Sequence, residues 1–530
     1  MNLQGLSIIG HGRGTATGTP RQAINPATGQ PIGPAYCWAT DAEVEQAVQL
    51  AAAAAVEFSR WSGEQKGDLL QRLARLLEAT GAEIVARAQL ETALPAARLQ
   101  GELARTCFQM RLYGEAVTNG LTAGARIDHG DPQRQPLPKV DLRSIMVPLG
   151  PVAVFSASNF PLAFSVAGGD TASALAAGCP VIVKSHQGHL GCSEMVGGLI
   201  QQAARESGAP AGLFSLLYGD GANLGVTLVR HPQIRAVGFT GSRRGGRALM
   251  DVAAARPEPI PVYAEMGSIN PVFVLPEALA ARPGDIASGL HASVTLGVGQ
   301  FCTNPGLVFV AASAQAEAFL AELRTRMAAT PAGTMLTAGL GASYRQGVEE
   351  FSKIAGVERL TEPDTDRGPG NARVKAALLV TDAETFMQNG HLAEEVFGPV
   401  TLVVRCASPA QMLAAARQLE GQLTATLCAT PGDLQAHGEL VEIMKLKVGR
   451  LLFNGFPTGV EVAHAMTHGG PYPATSDGRS TSVGTRAIER FLRPMTYQNF
   501  PDANLPEELQ EANPLGISRL CDGKVTPANS

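Results

Sequence analysis

Between residues 151 and 239 the chain alternates short apolar runs, bounded by Gly and Pro, with helical stretches. No other feature restricts the fold as strongly. The runs are Pro151–Phe155, Pro180–Val183, Phe214–Tyr218 and Ala236–Phe239, with helical stretches through Ala174 and near Ser193–Ala204 between them. Runs rich in Val and Ile without polar alternation are buried on both faces, which predicts parallel strands connected by crossover helices. A second series follows Glu265: Pro271–Leu275, a helix around Ile286–Leu296, Gly306–Ala311, Val400–Arg405, Thr424–Cys428 and Arg450–Phe453. The expected class is α/β, with two doubly wound, Rossmann-like domains and a ligand cleft between them.

Residues 40–118 precede both series and read as helical. Thr40-Asp41-Ala42-Glu43 has capping-box spacing, and Leu69, Leu70, Leu73, Leu76 and Leu77 recur on one face. Segments 126–148 and 479–500 fit neither series and read as strands of a small β interface element; 501–530, with Pro501, Pro506, Pro514 and Pro527, reads as an irregular surface tail. A length of 530 residues suits two or three domains. The net charge of -5, without a basic run, argues against nucleic acid. No stretch approaches the roughly 20 apolar residues that a membrane span needs, and Met1–Pro20 does not read as a secretory signal. The eight cysteines are scattered with no C-x-x-C pair, so neither a disulfide framework nor a metal site is expected, and a reducing cytoplasm is the expected location.

Cys302 lies in the turn-prone segment Gly299-Gln300-Phe301-Cys302-Thr303-Asn304-Pro305, just after a helix, where a thiol can be exposed. A lone cysteine is more often a packing residue, so its candidacy depends on partners. Glu265, ending an apolar run before Met266-Gly267, would sit partly desolvated, which raises a carboxyl pKa toward that of a general base; a capping or salt-bridged role is the plainer alternative. Asn159, between an apolar strand and Pro161, offers an amide for an oxyanion, or simply forms a turn. Gly241-Ser242 makes a strand-to-helix turn able to meet a pyrophosphate, though it is not a G-x-G-x-x-G fingerprint. Lys184 ends an apolar run where ligands of doubly wound sheets collect, or is a solvated strand end.

In sequence order, Asn159-Phe160-Pro161, Lys184, Phe239-Thr240-Gly241-Ser242, Glu265-Met266-Gly267, Gly299-Gln300-Phe301-Cys302, Glu394-Glu395-Val396-Phe397-Gly398-Pro399 and Leu452-Phe453-Asn454-Gly455 resemble the motifs of the aldehyde dehydrogenase superfamily over nearly the whole chain. The resemblance implies that Cys302 attacks an aldehyde, that Asn159 and the Cys302 N–H hold the oxyanion, and that Glu265 activates the water that hydrolyses the thioester. It implies a dinucleotide held by Lys184, Ser185, His186, Gln187, Gly241, Ser242 and Glu395, with Phe397 near the nicotinamide. The implied division is a dinucleotide-binding domain of residues 1–125 and 149–265, a catalytic domain of 266–478, and an oligomerisation element with C-terminal tail made of 126–148 and 479–530. Residues 493–500 would add a strand to a partner subunit in a homodimer or homotetramer.

Where some family members carry a glutamate three residues after the strand-end lysine, this chain has Gln187. Without that carboxylate the electrostatic barrier to a 2′-phosphate is gone, so NADP is the expected cofactor, with NAD as a second. Phe155–Thr171 and Phe301–Gly306 resemble a branch of NADP-linked α-ketoglutarate semialdehyde (2,5-dioxopentanoate) dehydrogenases and their relatives for longer aliphatic aldehydes. Phe160, Phe164, Phe301 and Phe456 are candidates to line an apolar substrate tunnel, or are core. A keto acid would need a cation at that tunnel, and no arginine can be assigned to it from sequence. Glu265 argues against an acylating, coenzyme A-dependent enzyme, and retention of Cys302, Glu265 and Asn159 against a catalytically silent binding protein. A cysteine peptidase would pair Cys302 with a histidine, and none of the ten lies in a recognisable motif.

Overall fold

The computed structural model describes residues 2–363 and 365–528. The first series of runs forms parallel strands in the spatial order Val262–Glu265, Ala236–Thr240, Val152–Phe155, Val181–Lys184 and Phe214–Leu217, and Ile8–Ile9 and Gly12–Arg13 extend the sheet antiparallel. Alternation along these strands feeds two cores. Val152, Val154, Val181 and Val183 face one; Ala153, Phe155, Ile182 and Leu217 face the other. Strand order reverses between Val152–Phe155 and Ala236–Thr240, so the segments leaving their carboxyl ends diverge and open a crevice.

The helices over this sheet follow the sequence pattern. Helix Asp41–Phe58 starts with the expected box: the Glu43 N–H donates to the Thr40 hydroxyl, and the Thr40 N–H donates back to the Glu43 carboxylate. Helix Gly63–Ala79 buries Leu69, Leu70, Leu73 and Leu77, with Leu76 partly buried against the same core.

The second sheet runs Glu358–Arg359, Ala377–Asp382, Val400–Cys406, Leu307–Ala311, Val272–Val274, Gln422–Cys428 and Val448–Phe453, with only Glu358–Arg359 antiparallel. Phe273 and Phe309 stack in its core with centroids 4.9 Å apart. Full burial of each such ring contributes about 1.5–3 kcal/mol. Strand Ala377–Asp382 and helices Ala314–Ala329 and Ala338–Ser352 complete this layer without having been singled out by the sequence pattern.

The remaining segments correct the sequence reading twice. Residues 501–530 do not form an irregular tail throughout, because Arg519–Cys521 and Lys524–Thr526 make a hairpin whose first strand pairs in parallel with Arg126–Asp128. This completes a five-stranded sheet with Leu142–Pro148 and edge strand Leu492–Gln498. Pro501, Pro506 and Pro514 lie ahead of that hairpin, where no strand ladder needs their missing N–H. Within 479–500, the 3-10 turn Thr485–Phe491 does not join the small sheet: Ala487, Ile488 and Phe491 are buried in the core of the first sheet. Arg490 follows them inward and donates to Asp170 at 2.8 Å.

Candidate active site

Glu265 is the last residue of its strand, beside Thr240 of the neighbouring strand, and Asn159 follows Val152–Phe155 across the strand-order reversal. Cys302 comes from the other half of the molecule. Gly297, Val298 and Gly299 all adopt positive φ (55°, 59° and 65°), turning the chain sharply after helix Pro283–Thr295. A β-branched residue in this region is strained, so packing elsewhere must hold the turn. Gly299 is also obligatory for space, since a Cβ there would lie 2.3 Å from the Gly398 carbonyl carbon.

Asn270 is the main support of this loop. Fully buried and itself at φ 49°, it donates through Nδ2 to the Cys302, Asn304 and Ser268 carbonyls at 2.9, 2.9 and 3.1 Å, while its Oδ1 accepts from Ser268 and Thr424. Asn159 donates to the Gln300 carbonyl at 3.1 Å, and its own carbonyl accepts from Arg98 at 2.7 Å. Cys302, Glu265, Asn159, Gly241, Ser242, Glu395 and Phe397 line one pocket of about 160 Å³. The three proposed catalytic side chains therefore share a cavity.

His468 stands between Cys302 and the Glu265 carboxylate, and sequence reasoning missed it. Its Nε2 lies 3.4 Å from Cys302 Sγ and 3.1 Å from Glu265 Oε1. The expectation that no histidine partners Cys302 is therefore corrected. Its N–H donates to the Thr481 hydroxyl, and its carbonyl accepts from Ser482, whose hydroxyl donates to Glu265 Oε2 at 2.8 Å. The motif eluded the sequence because 203 residues, from 265 to 468, separate groups that meet only after both sheets have formed.

The charges also differ from expectation. Burial pushes the Glu265 carboxyl up, but the neighbouring His468 and hydrogen bonds from His468, Ser482 and Cys302 outweigh it and hold the group below its ordinary value. A raised Glu265 pKa, expected from desolvation alone, is thus overturned by polar partners. Burial, followed by the Glu265 charge, raises the half-buried Cys302 thiol well above the usual range. Desolvation of its carboxyl, with the Glu265 charge added, lifts Glu395 to about 8 against a lowering hydrogen bond from the Ser268 backbone.

A larger cleft of about 870 Å³ adjoins this pocket through the shared Ser158 and Leu340, and Lys184, His186, Gln187, Arg21 and Trp38 line it. Lys184 is buried, donates among the described residues only to the Ser185 carbonyl at 3.0 Å, and is pushed down to about 8 by burial. Burial and the nearby His189 and Lys184 keep His186 neutral. Ser185 is buried beside them, while Gln187 is exposed. The Ser242 hydroxyl accepts from the Gly245 N–H and caps helix Arg243–Ala254, so its backbone donors open toward the crevice. A large cleft lined by a buried ammonium and joined to a pocket that holds a helix N-terminus fits a dinucleotide.

Phe160 contacts Phe164 and Phe301 edge-on at 5.4 and 5.3 Å, and Phe164 lies 5.9 Å from the His468 ring. Phe456 does not join them; it packs against Gly289 beside the core of the second sheet. Two arginines, unassigned from sequence, complete the aromatic wall. Arg98 stacks over Phe160 and Phe301, and Arg105 over Phe164 at 5.2 Å. Both Arg105 Nη atoms and Arg98 Nη1 are shielded from solvent without a hydrogen-bond partner.

A fold of two such sheets around a cysteine, a glutamate and a dinucleotide-sized cleft defines an NAD(P)-binding oxidoreductase, and residues 14–496 match the aldehyde dehydrogenase family. The chain belongs to that family. It is 49% identical over 99% of its length, and 100% of the relative's, to a protein of Azospirillum brasilense named alpha-ketoglutaric semialdehyde dehydrogenase 2. A protein of Acinetobacter baylyi named alpha-ketoglutaric semialdehyde dehydrogenase is 44% identical, covering 98% of this chain and 99% of that one. Among solved structures, a 3,6-anhydro-L-galactose dehydrogenase in complex with NAP superposes with a TM-score of 0.79 at 20% identity, covering 93% of this chain and 99% of that chain. A 1-pyrroline-5-carboxylate dehydrogenase from Thermus with bound NAD gives 0.78 at 22%, covering 93% and 92%. Among the described residues, no helix is long and apolar enough to cross a membrane.

Proposed function

We propose that this enzyme oxidises α-ketoglutarate semialdehyde (2,5-dioxopentanoate) to 2-oxoglutarate, with NADP preferred and NAD as a second cofactor. The observation that carries this choice of aldehyde is Arg105, a cation with both terminal nitrogens unpaired on the aromatic wall beside Cys302. A neutral aliphatic aldehyde leaves those N–H groups unsatisfied, whereas the carboxylate of a keto acid accepts from them. The names of the two curated relatives support the same substrate.

In this reading Cys302 Sγ attacks the aldehyde carbon, and the oxyanion is held by the Cys302 N–H and the free N–H of Asn159. Lys184 and Glu395 hold ribose hydroxyls, Ser185 and His186 shape the adenosine end, Gly241 and Ser242 meet the pyrophosphate, and Phe397 borders the nicotinamide. Bound there, the dinucleotide supplies the hydride acceptor. Ionised Glu265, oriented by Ser482, takes a proton from the water that attacks the Cys302 thioester, releasing the carboxylate and the thiolate. Preference for NADP is supported by Gln187 in place of a carboxylate and by Arg21, stacked on Trp38 at 4.9 Å in the same cleft. Exposed edge strand Leu492–Gln498 supports a homodimer or homotetramer, in a cytoplasmic setting.

The test is an initial-rate panel of short aliphatic, long aliphatic and 2-keto-acid semialdehydes with both cofactors. The highest kcat/KM should fall to 2,5-dioxopentanoate with NADP. A long-chain aldehyde that outperforms it would reassign the substrate, and a marked NAD preference would remove Gln187 and Arg21 from their roles.

A further inference from the structure

We propose that Arg98 is a positioning residue for the oxidation: it fixes the peptide of Asn159, so that the side-chain amide stays aimed at the oxyanion formed on the aldehyde. The inference rests on the reading of Cys302 as nucleophile and Asn159 as oxyanion donor. When Cys302 Sγ bonds to the aldehyde carbon, the carbonyl π pair moves onto oxygen, and the Asn159 N–H not engaged by the Gln300 carbonyl meets that charge. Such a donor must be held in place before the charge appears, yet residues 156–168 belong to no helix or strand. Much of their support comes from a neighbouring helix. Arg98 Nη2 donates to the Asn159 carbonyl at 2.7 Å, and Glu102, one helical turn on, accepts from the Leu162 and Ala163 N–H groups at 2.8 and 3.0 Å.

The spacing puts Arg98 and Glu102 on one face of helix Ala96–Thr118, so that a cation and a carboxylate meet the backbone of the same loop. Arg98 is locked in turn. Its guanidinium carbon lies 5.0 Å from the Phe160 ring centre and 4.8 Å from that of Phe301, where both rings attract the cation. Gly297 makes room for it, since a Cβ there would lie 2.8 Å from the Phe301 ring and 3.2 Å from Arg98 Nη1. The field of buried Glu102 offsets part of the burial that disfavours the Arg98 charge. A planar fork packed against two rings has little freedom left to lose, which favours a single geometry for its hydrogen bond to Asn159. The Cys302 loop has its own support in Asn270, so loss of the Arg98 guanidinium shifts Asn159 more than the thiol.

The test compares two reactions of Cys302 in the full-length enzyme. Single-turnover oxidation of 2,5-dioxopentanoate and of pentanal, with enzyme in excess and followed as reduced dinucleotide, passes through the oxyanion. Alkylation by iodoacetamide, a displacement of iodide followed on the Cys302 peptide by mass spectrometry, forms none. Arg98→Met should slow oxidation of both aldehydes about tenfold or more and alkylation less than about threefold, with dinucleotide binding intact. In an Asn159→Ala background, itself slowed about 10²-fold or more, Arg98→Met should lower the oxidation rate less than about twofold further. Where the single variant does not fold, Arg98→Met is compared within Glu102→Gln, which removes the orphaned charge and keeps an acceptor for the Leu162 and Ala163 N–H groups. Losses that multiply in the Asn159→Ala background overturn the proposal, as do equal slowing of oxidation and alkylation, a loss confined to the keto acid, or undiminished oxidation. Undiminished oxidation in Asn159→Ala would instead remove the oxyanion reading beneath it.

Discussion

Replacing Arg105 by Met separates substrate recognition from structural support. The Met side chain retains a flexible apolar stem against Phe164 while removing the charge and both unpaired Nη groups. A hydrogen bond to a charged group contributes about 1.5–3 kcal/mol, so two lost from guanidinium to carboxylate amount to about 3–6 kcal/mol. That corresponds to a fall of about 10²–10⁴-fold in kcat/KM for 2,5-dioxopentanoate. Pentanal, of the same chain length but uncharged, should be oxidised as well as before or better. Stability should move the opposite way. Burial already disfavours the Arg105 cation, its main compensation being the field of buried Glu102 one helical turn away, and Glu102 keeps the Leu162 and Ala163 N–H groups and the neighbouring Arg98. Removing a poorly compensated buried charge is neutral or stabilising by about 1–3 kcal/mol, read as a higher midpoint in thermal unfolding. Equal losses on charged and uncharged aldehydes, or a lowered midpoint accompanying the loss, would refute the reasoning.

Asn270→Gly and Asn270→Ala both remove the amide donor to the Cys302 and Asn304 carbonyls, of which the second keeps the Gly306 N–H, and should destabilise the fold by about 1–3 kcal/mol in urea titrations; the Ala variant should be worse by about 1 kcal/mol because only Gly accepts φ 49° freely. Arg21→Ala should lower kcat/KM with NADP at least tenfold while changing the value with NAD little, and equal falls would remove Arg21 from 2′-phosphate recognition. The raised Glu395 pKa means that the folded state favours the uncharged acid, so its contribution to stability is present below the unfolded value near 4.5 and is lost as pH rises toward about 8. Melting temperatures of Glu395→Gln should therefore decline less than those of wild type across that window, and parallel curves would count against the shift. Glu265, Cys302 and His468 offer donor atoms all within 4.8 Å of one another, so Zn²⁺ should inhibit reversibly, with relief by EDTA and weakened inhibition in His468→Asn.

The strands around Glu265, Asn159 and Lys184 were legible because burial on both faces forces continuous apolar runs, and the same pattern locates their carboxyl ends, where the crevice opens. The Thr40 capping box was legible because all its atoms lie within four residues. Arg519–Cys521 was not, since its partner Arg126–Asp128 lies almost 400 residues away and a three-residue strand carries no period. Nor was Ala377–Asp382, although it is as apolar as its neighbours, because no Gly or Pro frames it as they frame the others.

His468 and Arg105 show why a site is harder to read than a fold. A strand is encoded by its own residues, whereas the pKa of Glu265 is decided by which polar groups reach it from afar. Desolvation, the part visible from its apolar neighbours, pushes the carboxyl upward; His468 and Ser482, contributed by a segment some two hundred residues later, reverse the sign. Likewise the arginines of helix Ala96–Thr118 lie three and four residues from Glu102, a spacing that on most helices marks a solvated charged face. Only packing against Phe160, Phe164 and Phe301 turns that face inward, so that charges ordinarily screened by water become the unsatisfied donors on which the proposed choice of substrate rests.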